Sequence, residues 1–420
     1  MKTLRHVWNM LCHNKLFSAI YIFGTALALA TVTMFAVVMW NKVAPIYPEY
    51  NRSKTAYLES VSVSRTKAQG MYMGRMNLET ARDYLAKIPS ATKASLMADY
   101  WDDYFVQPEG GRPDIKVRVK PTDTAFFDIY DYQFLAGRPF SEAEFESGLT
   151  VAVITDELSK QAFGNVDFEN VIGRDISLDF KKYKVVGVVK QATPTEVWSY
   201  AHIIYPYTVI KENPKNFPYV GDFKIVYLSD TPENLPKEVQ AVAGMLNSTN
   251  EDYELEINYG PVTHIHYTLG DEGYDEEFTL GGFLLGIGAI LLVLLIVPAL
   301  NLSGMISGRM EERVGEMGLR KSFGATRGQL LREVLWENLI LTIAGGVLGF
   351  ILAWVLLQLG ISSLMAKGDY GVDDVVTAEM VFSPVIFTFV FVVCCILNIM
   401  SAFLPAYRSL RRPIVQSLKE

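Results

Sequence analysis

Cysteine, histidine and an excess of positive charge are what this 420-residue chain lacks. It holds three cysteines (Cys12, Cys394, Cys395) and five histidines, with no C-x-x-C or H-E-x-x-H spacing, so the common signatures of thiol redox and zinc hydrolase chemistry are missing. There is no Walker A sequence (G-x-x-x-x-G-K-[ST]), no G-x-S-x-G and no dinucleotide fingerprint, and enzyme readings lose their main support. Lys and Arg number 38 against 46 Asp and Glu, a net charge of -8, whereas a nucleic-acid surface needs a basic face. No segment is biased enough in composition to be disordered or fibrous.

What is present is apolar and unevenly spread. Residues 16–40 carry no formal charge; as a helix at about 1.5 Å per residue they reach about 37 Å, more than a hydrocarbon core of about 30 Å. A signal peptide competes, because Lys2, Arg5 and Lys15 precede the block and Ala26-Leu27-Ala28 imitates a cleavage site, but the apolar run is too long for one and an uncleaved anchor is expected. Further spans are expected at 280–306, 335–359 and 381–404. Basic residues in the short flanks set the orientation. Segments 1–15, 307–334 and 405–420 have net charges of +3, +2 and +3, the loop 360–380 has -3, and the large segment 43–277 has -13. The termini and 307–334 are therefore expected inside, with 43–277 exported. The fold class is an α-helical membrane protein with four transmembrane helices and a large α+β extracytoplasmic domain inserted between helices 1 and 2.

That exported segment has no cysteine and must be held by core burial without disulfides, which its size permits. Helical spacing predicts helices at 76–88 (Leu78, Ala81, Leu85, Ile88, stopped by Pro89), 156–163 and 232–246. Short β-branched or alternating runs predict strands at 56–63, 115–119, 151–154, 184–189, 203–207, 224–228 and 253–257, leaving room for two subdomains. His264 and His266, two apart, would share one face of a strand and could take a metal if Asp271 joined them. An ordinary surface or juxtamembrane pair is the preferred reading, and no metal site is assigned. Asp102-Asp103 reads as an exposed acidic-aromatic loop, and the acidic run 271–277 as a solvated entry to the membrane.

Segment 307–334 is far longer than two antiparallel helices need. It reads as a helix to about Ser322, a turn at Gly324-Ala325, and a new helix capped by Thr326 with Gln329 as its capping-box partner, Gly324 suiting a left-handed C-terminal cap. Such an elbow could receive a push from a cytoplasmic partner, or lie as a basic hairpin on anionic lipid. Gly24 with Ala28, Gly282 with Gly286, and Gly345 with Gly349 are small residues four apart, suited to close helix contacts in lipid. The spans hold almost no ionisable residue beyond Glu337, which favours helices that transmit motion over a polar conduit.

The run Glu312-Arg313-Val314-Gly315-Glu316-Met317-Gly318-Leu319-Arg320-Lys321-Ser322-Phe323-Gly324-Ala325-Thr326-Arg327 resembles the signature of the FtsX/MacB-type ABC transporter permeases. Phe134-Leu135-Ala136-Gly137-Arg138-Pro139-Phe140, Val151 to Ile154, Ala162-Phe163-Gly164, Ile172-Gly173 and Tyr183 to Val189 resemble that family's periplasmic core domain in order and approximate spacing. Trp8-Asn9-Met10-Leu11 and Asn14 to Ser18 are similar to its lead-in to the first span. The resemblance implies that 307–334 is a coupling helix docked on an ABC ATPase, with Glu312, Arg313, Glu316, Gly318, Leu319, Arg320, Lys321, Gly324 and Ala325 as its coupling residues. It implies that the chain catalyses nothing and binds no cofactor, that a separate cytoplasmic ATPase holds ATP and Mg, and that a second permease half completes the machine, as a homodimer or with a related chain. Mechanotransmission in the inner membrane follows as the expected mechanism. Efflux of a peptide, drug or lipid-like substrate toward a periplasmic adaptor and outer-membrane duct is the preferred function. Lipoprotein release and non-transporting control of a cell-wall hydrolase or sensor are the alternatives. The -13 charge of the exported segment suits cationic peptides or basic partners.

Overall fold

The computed structural model describes residues 15–66, 70–98, 104–107, 115–194, 196–210, 217–257, 260–270, 279–356 and 384–410. These fall into two compact units, one helical and one built on a sheet. Asp102, Asp103 and the 271–277 run lie outside the described residues, as do the lead-in segments up to Asn14 and the loop 360–380.

The helical unit contains α1 (Lys15–Val43) as far as Trp40, its last turn from Asn41 belonging to the sheet unit, together with α2 (Leu280–Glu312), α3 (Val314–Ser322), α4 (Arg327–Leu356) and α5 (Pro384–Leu410). Three stretches, Ser18–Val43, Arg327–Leu356 and Pro384–Leu410, are long and apolar enough to cross a membrane, and α2 adds a shorter apolar stretch, Leu280–Leu294. Helices apolar on all sides suit a surrounding hydrocarbon medium, in which only satisfied backbone is tolerated. One expectation needs correction. The helix from the second apolar block does not run unbroken to Ser322; it stops at Glu312 and restarts at Val314, with Arg313 in a non-helical conformation (φ -99°, ψ 8°) between them. The fourth apolar helix also continues past 404 to Leu410.

The second unit holds sixteen strands among its described residues, joined in one hydrogen-bonded sheet. Most neighbours are antiparallel. The parallel pairs are Lys181–Val189 beside Val151–Thr155, and Ile203–Pro206 beside Val119–Thr122. The first of these is bridged partly by the helix Asp156–Phe163, whose N-cap Thr155 accepts from the Leu158 N–H and which stops at Gly164 (φ +76°). Three apolar cores line the sheet. One lies under the helix Leu235–Thr249, a central one is rich in tyrosine and phenylalanine, and one lies under Asp156–Phe163.

Several expected strands stand, but 56–63 is two strands, Thr55–Leu58 and Val61–Arg65, broken at Glu59-Ser60. The first pairs with Phe223–Leu228 and the second with Met71–Met76 and Tyr253–Glu256. The 76–88 segment is a strand end followed by a π-helical turn, Thr80–Tyr84, and a 3-10 turn, Leu85–Lys87. His264 and His266 stand in a short helix, His264–Leu269, so a two-residue spacing sends them to different sides.

Candidate functional site

The elbow is built by two local devices that its sequence encodes. At the end of α3 the Ala325 N–H donates to the Arg320 carbonyl (3.0 Å) and the Gly324 N–H to the Lys321 carbonyl (3.0 Å). That is a Schellman closure, and it requires the left-handed backbone that Gly324 adopts (φ +94°). One residue later Thr326 opens α4. Its N–H donates to Gln329 Oε1 (3.0 Å) while the Gln329 N–H donates to Thr326 Oγ1 (3.3 Å), a reciprocal capping box. With both helix ends satisfied, the turn has little freedom to unwind.

The two faces of α3 differ. Val314, Met317 and Gly318 are buried, and Met317 packs in an apolar cluster with Tyr21 of α1, Ile306 and Met310 of α2, Leu330 and Val334 of α4, and Ala402 and Ala406 of α5. Ala325 packs against the same cluster. On the other face Leu319 is 52% exposed and Phe323 is 85% exposed. These two, four apart and therefore neighbours on the helix surface, do not pack the elbow internally.

Ionic contacts key the elbow to the helices around it. Arg313 Nε donates to Glu316 Oε2 (3.1 Å) and its Nη1 to Glu337 Oε2 of α4 (2.9 Å). Arg320 reaches Glu316 on its own helix (2.6 Å) and both carboxylate oxygens of Glu333 on α4 (2.9 Å each). Lys321 Nζ donates to the Leu410 carbonyl at the end of α5 (2.8 Å), where a cation also meets the helix dipole favourably. Glu312 is the last residue of α2. Glu333 and Glu337 of α4, which hold Arg320 and Arg313 in place, and Phe323, which joins Leu319 on the exposed face, stand beside the expected coupling residues. The signal for the first two was their i,i+4 spacing at the entry to α4.

The small-residue pairs separate into two kinds. A Cβ on Gly345 would stand 2.8 Å from Thr25 Cβ, and one on Gly349 2.7 Å from the Ala26 carbonyl oxygen. Glycine at both positions thus brings α4 to backbone distance from α1. By contrast, Gly24 and Gly286 have no described atom within 4 Å of where a Cβ would be. Gly282 is exposed and Ala28 half-buried.

In the sheet unit, the Phe134 to Phe140 run gathers around one exchange. Gly137 (φ +69°) lies opposite Gly187 across the strands Phe134–Gly137 and Lys181–Val189. A Cβ on Gly137 would be 2.2 Å from the Val186 carbonyl oxygen, and one on Gly187 2.5 Å from that of Arg138. Arg138 then forks onto Glu144 (2.8 and 2.9 Å), whose N–H donates to the N-cap Ser141 Oγ (3.3 Å) while its carboxylate accepts from the Ser141 N–H (2.7 Å), a capping box. These bonds hold the Glu144 carboxyl down at about 2.

Deeper in the same unit is a buried ionic knot. Arg52, 2% exposed, donates to Glu49 (2.9 Å), contacts Glu196, and gives Nη1 to the carbonyls of Asn41 (2.6 Å) and Ala44 (2.7 Å). His264 sits beside it, buried, with Nδ1 3.0 Å from the Tyr57 hydroxyl and Nε2 2.9 Å from the Lys42 carbonyl. That pattern fits a neutral ring with the proton on Nε2, and burial pushes its pKa down to about 4. Both ring nitrogens are engaged, and among the described residues no group of three or more metal-ligating side chains is assembled.

Comparison with known proteins covers both units. The family model for the MacB-like periplasmic core domain matches residues 18–228, and that for the FtsX-like permease C-terminal matches 288–414. The chain is 22% identical over 271 residues to the uncharacterized ABC transporter permease YknZ of Bacillus subtilis (strain 168), covering 63% of this chain and 61% of that one. It is 27% identical over 262 residues to the pyoverdine export ATP-binding/permease protein PvdT of Pseudomonas savastanoi pv. phaseolicola (strain 1448A / Race 6), covering 61% of this chain and 37% of that one. A crystal structure of the periplasmic region of MacB from Actinobacillus actinomycetemcomitans aligns with 48% of this chain and 90% of its own at 15% identity, with a TM-score of 0.33. The chain thus spans less than two thirds of the length of these two curated relatives. With the core-domain model matching half of the chain and the permease model matching most of the rest, the chain belongs to the FtsX/MacB-type ABC transporter permeases.

Proposed function

We propose that this chain is the permease subunit of a MacB-like ABC transporter and that the elbow from α2 through α3 into α4 is where a separate cytoplasmic ATPase docks. The observation that carries the proposal is the pair Leu319 and Phe323, exposed on a short helix whose opposite face is locked into the helical unit. An exposed apolar pair ringed by Glu316, Arg320 and Lys321 has the make-up of an interface centre with a polar rim. In this reading the ATPase binds ATP and Mg, and the permease binds neither.

The membrane arrangement belongs to the same proposal. Four helices span the membrane, with the exported domain inserted between the first and second. The basic flanks 1–15, 307–334 and 405–420 face the cytoplasm. A second permease half completes the complex, and the space beside Gly24 and Gly286, where an added Cβ would meet no described atom within 4 Å, offers it close approach. Closure of the ATPase pair pushes the elbow, the spans lean, and the exported domains change shape. Efflux is favoured over the other activities because PvdT is named as an export protein. The -13 charge of 43–277 favours cationic peptides or drugs over anionic ones.

The test is co-purification of the full chain with its ATPase. L319D and F323D should each reduce the bound ATPase by about tenfold or more, about the effect of a hot-spot residue. Undiminished binding in the double variant would sink the docking assignment. What stimulates ATP hydrolysis in the intact complex then chooses among peptides or drugs, lipoproteins, and a protein partner alone.

A further inference from the structure

The elbow does not end at its docking face. Behind it a line of buried polar side chains leads into the helical unit. Arg313, at the break between α2 and α3, donates to Glu337, which is only 3% exposed. The next residue, Asn338, is buried and donates to the Val334 carbonyl (2.9 Å), and its own carbonyl accepts from Thr342 (2.9 Å). Thr342 Oγ1 is where three helices meet. It lies 3.2 Å from the Tyr21 hydroxyl of α1 and 3.2 Å from Asn398 Nδ2 of α5. Tyr21, Thr342 and Asn398 are all buried.

Polar groups so placed resist sliding. A carboxylate and its cation are costly to part once both are out of water, because truncating either leaves a buried charge alone. The α2–α3 break therefore cannot shift along α4 without dragging Glu337, and α4 cannot shift along α1 and α5 without parting three hydrogen-bonding side chains at Thr342. Arg320 on Glu333 and Lys321 on the Leu410 carbonyl add two outer ties to the same helices.

We infer that Glu337 and Thr342 are positioning residues of the transport cycle: Glu337 fixes the break at Arg313 onto α4, and Thr342 passes the movement of α4 to α1 and α5. The inference rests on the proposed docking of an ATPase at the elbow and goes beyond it. It assigns roles to two residues that do not touch the docking face and separates docking from transmission.

The experiment uses the full chain with its co-purifying ATPase. The sequence between Cys12 and Cys394 has no cysteine, so E254C, on an exposed position of the strand Tyr253–Glu256, takes a membrane-impermeant maleimide fluorophore that reports ATP-dependent change in the exported domain. E337Q and T342V should keep the ATPase bound and basal hydrolysis within about twofold of the parent, while the ATP-dependent fluorescence change falls by about tenfold. E337D, which keeps the charge, should regain part of that change. A full fluorescence response in E337Q and T342V overturns the inference, and so does loss of ATPase binding in both, which would make them docking residues. Should E337Q fail to reach the membrane, T342V and E337D decide on the same readouts. Failure of the docking proposal is a separate result, seen as undiminished ATPase binding in the double variant L319D/F323D.

Discussion

Arg52 in the sheet unit and Arg320 on the elbow each contact two glutamates, yet Arg52 is 2% exposed and the Arg320 side chain is a third exposed. The difference is one of purpose as well as depth. Arg52 has Glu49, Glu196 and two backbone carbonyls around it, which leaves no room for exchange, and removing it would strand two carboxylates away from water. Arg320 shares Glu316 and Glu333 with the solvent, where water and salt compete for every contact. The same chemistry thus serves as a fixed structural pin in one unit and as an exchangeable surface contact in the other.

The largest expected effect probes the fixed pin. R52A should cost about 3–5 kcal/mol of stability, as loss of one partner of a buried pair does, read from thermal or denaturant unfolding of the purified chain; a cost under about 1 kcal/mol would put Arg52 on the same footing as Arg320. Two glycines give the next contrast. G187A drives a Cβ into the Arg138 carbonyl and should cost at or above the upper end of about 1–3 kcal/mol. G324A meets no described atom within 4 Å and should cost only its left-handed strain, about 1–2 kcal/mol. Equal losses in the two would show that packing is not what sets the units apart.

Acid should find the sheet unit as well. His264 has a folded pKa of about 4 against an ordinary 6.5, so the fold favours its neutral form. Its contribution is fully present above pH 6.5 and is lost as pH falls from there toward 4. H264Q should flatten that limb of an unfolding curve measured against pH. A limb of unchanged slope would mean that other groups carry it. The smallest effect belongs to the elbow. R320A should change stability by only about 0–1 kcal/mol, and the change should shrink further at high salt.

The sequence made the elbow more legible than the knot because its devices are local. Gly324, Thr326 and Gln329 lie within six positions, and a cap is written in a few adjacent letters, so the turn and both caps could be expected residue by residue. Helix Asp156–Phe163 is legible from its own spacing, and the structure adds the caps Thr155 and Gly164 at its ends. Arg52 sits in Asn51-Arg52-Ser53-Lys54, which looks like a solvated turn, and Glu196 is far away in the chain; nothing local signals that both will be buried. The sequence pattern gives one strand at 56–63 because Glu59 and Ser60 interrupt the alternation only briefly, whereas the two halves diverge to different neighbours. The helix at His264 carries no mark in the sequence, because two residues of alternation cannot distinguish a period of 2 from one of 3.6.

The approach of α4 to α1 has a consequence for how freely this chain can vary. At Gly345, Gly346 and Gly349 the first added carbon would lie 2.8 Å from Thr25, 2.3 Å from the Phe391 ring and 2.7 Å from the Ala26 carbonyl, respectively. At Gly345 and Gly349 the near atoms belong to the backbone and first carbons of α1, so even alanine is too large there unless the helices part, whereas at Gly346 the Phe391 ring would have to turn aside. Two sites four residues apart therefore admit a single letter of the alphabet. Along this seam the chain is mutationally locked, while a few residues away on the outward face of α4, at Val347 and Ile351, both exposed, any apolar side chain serves.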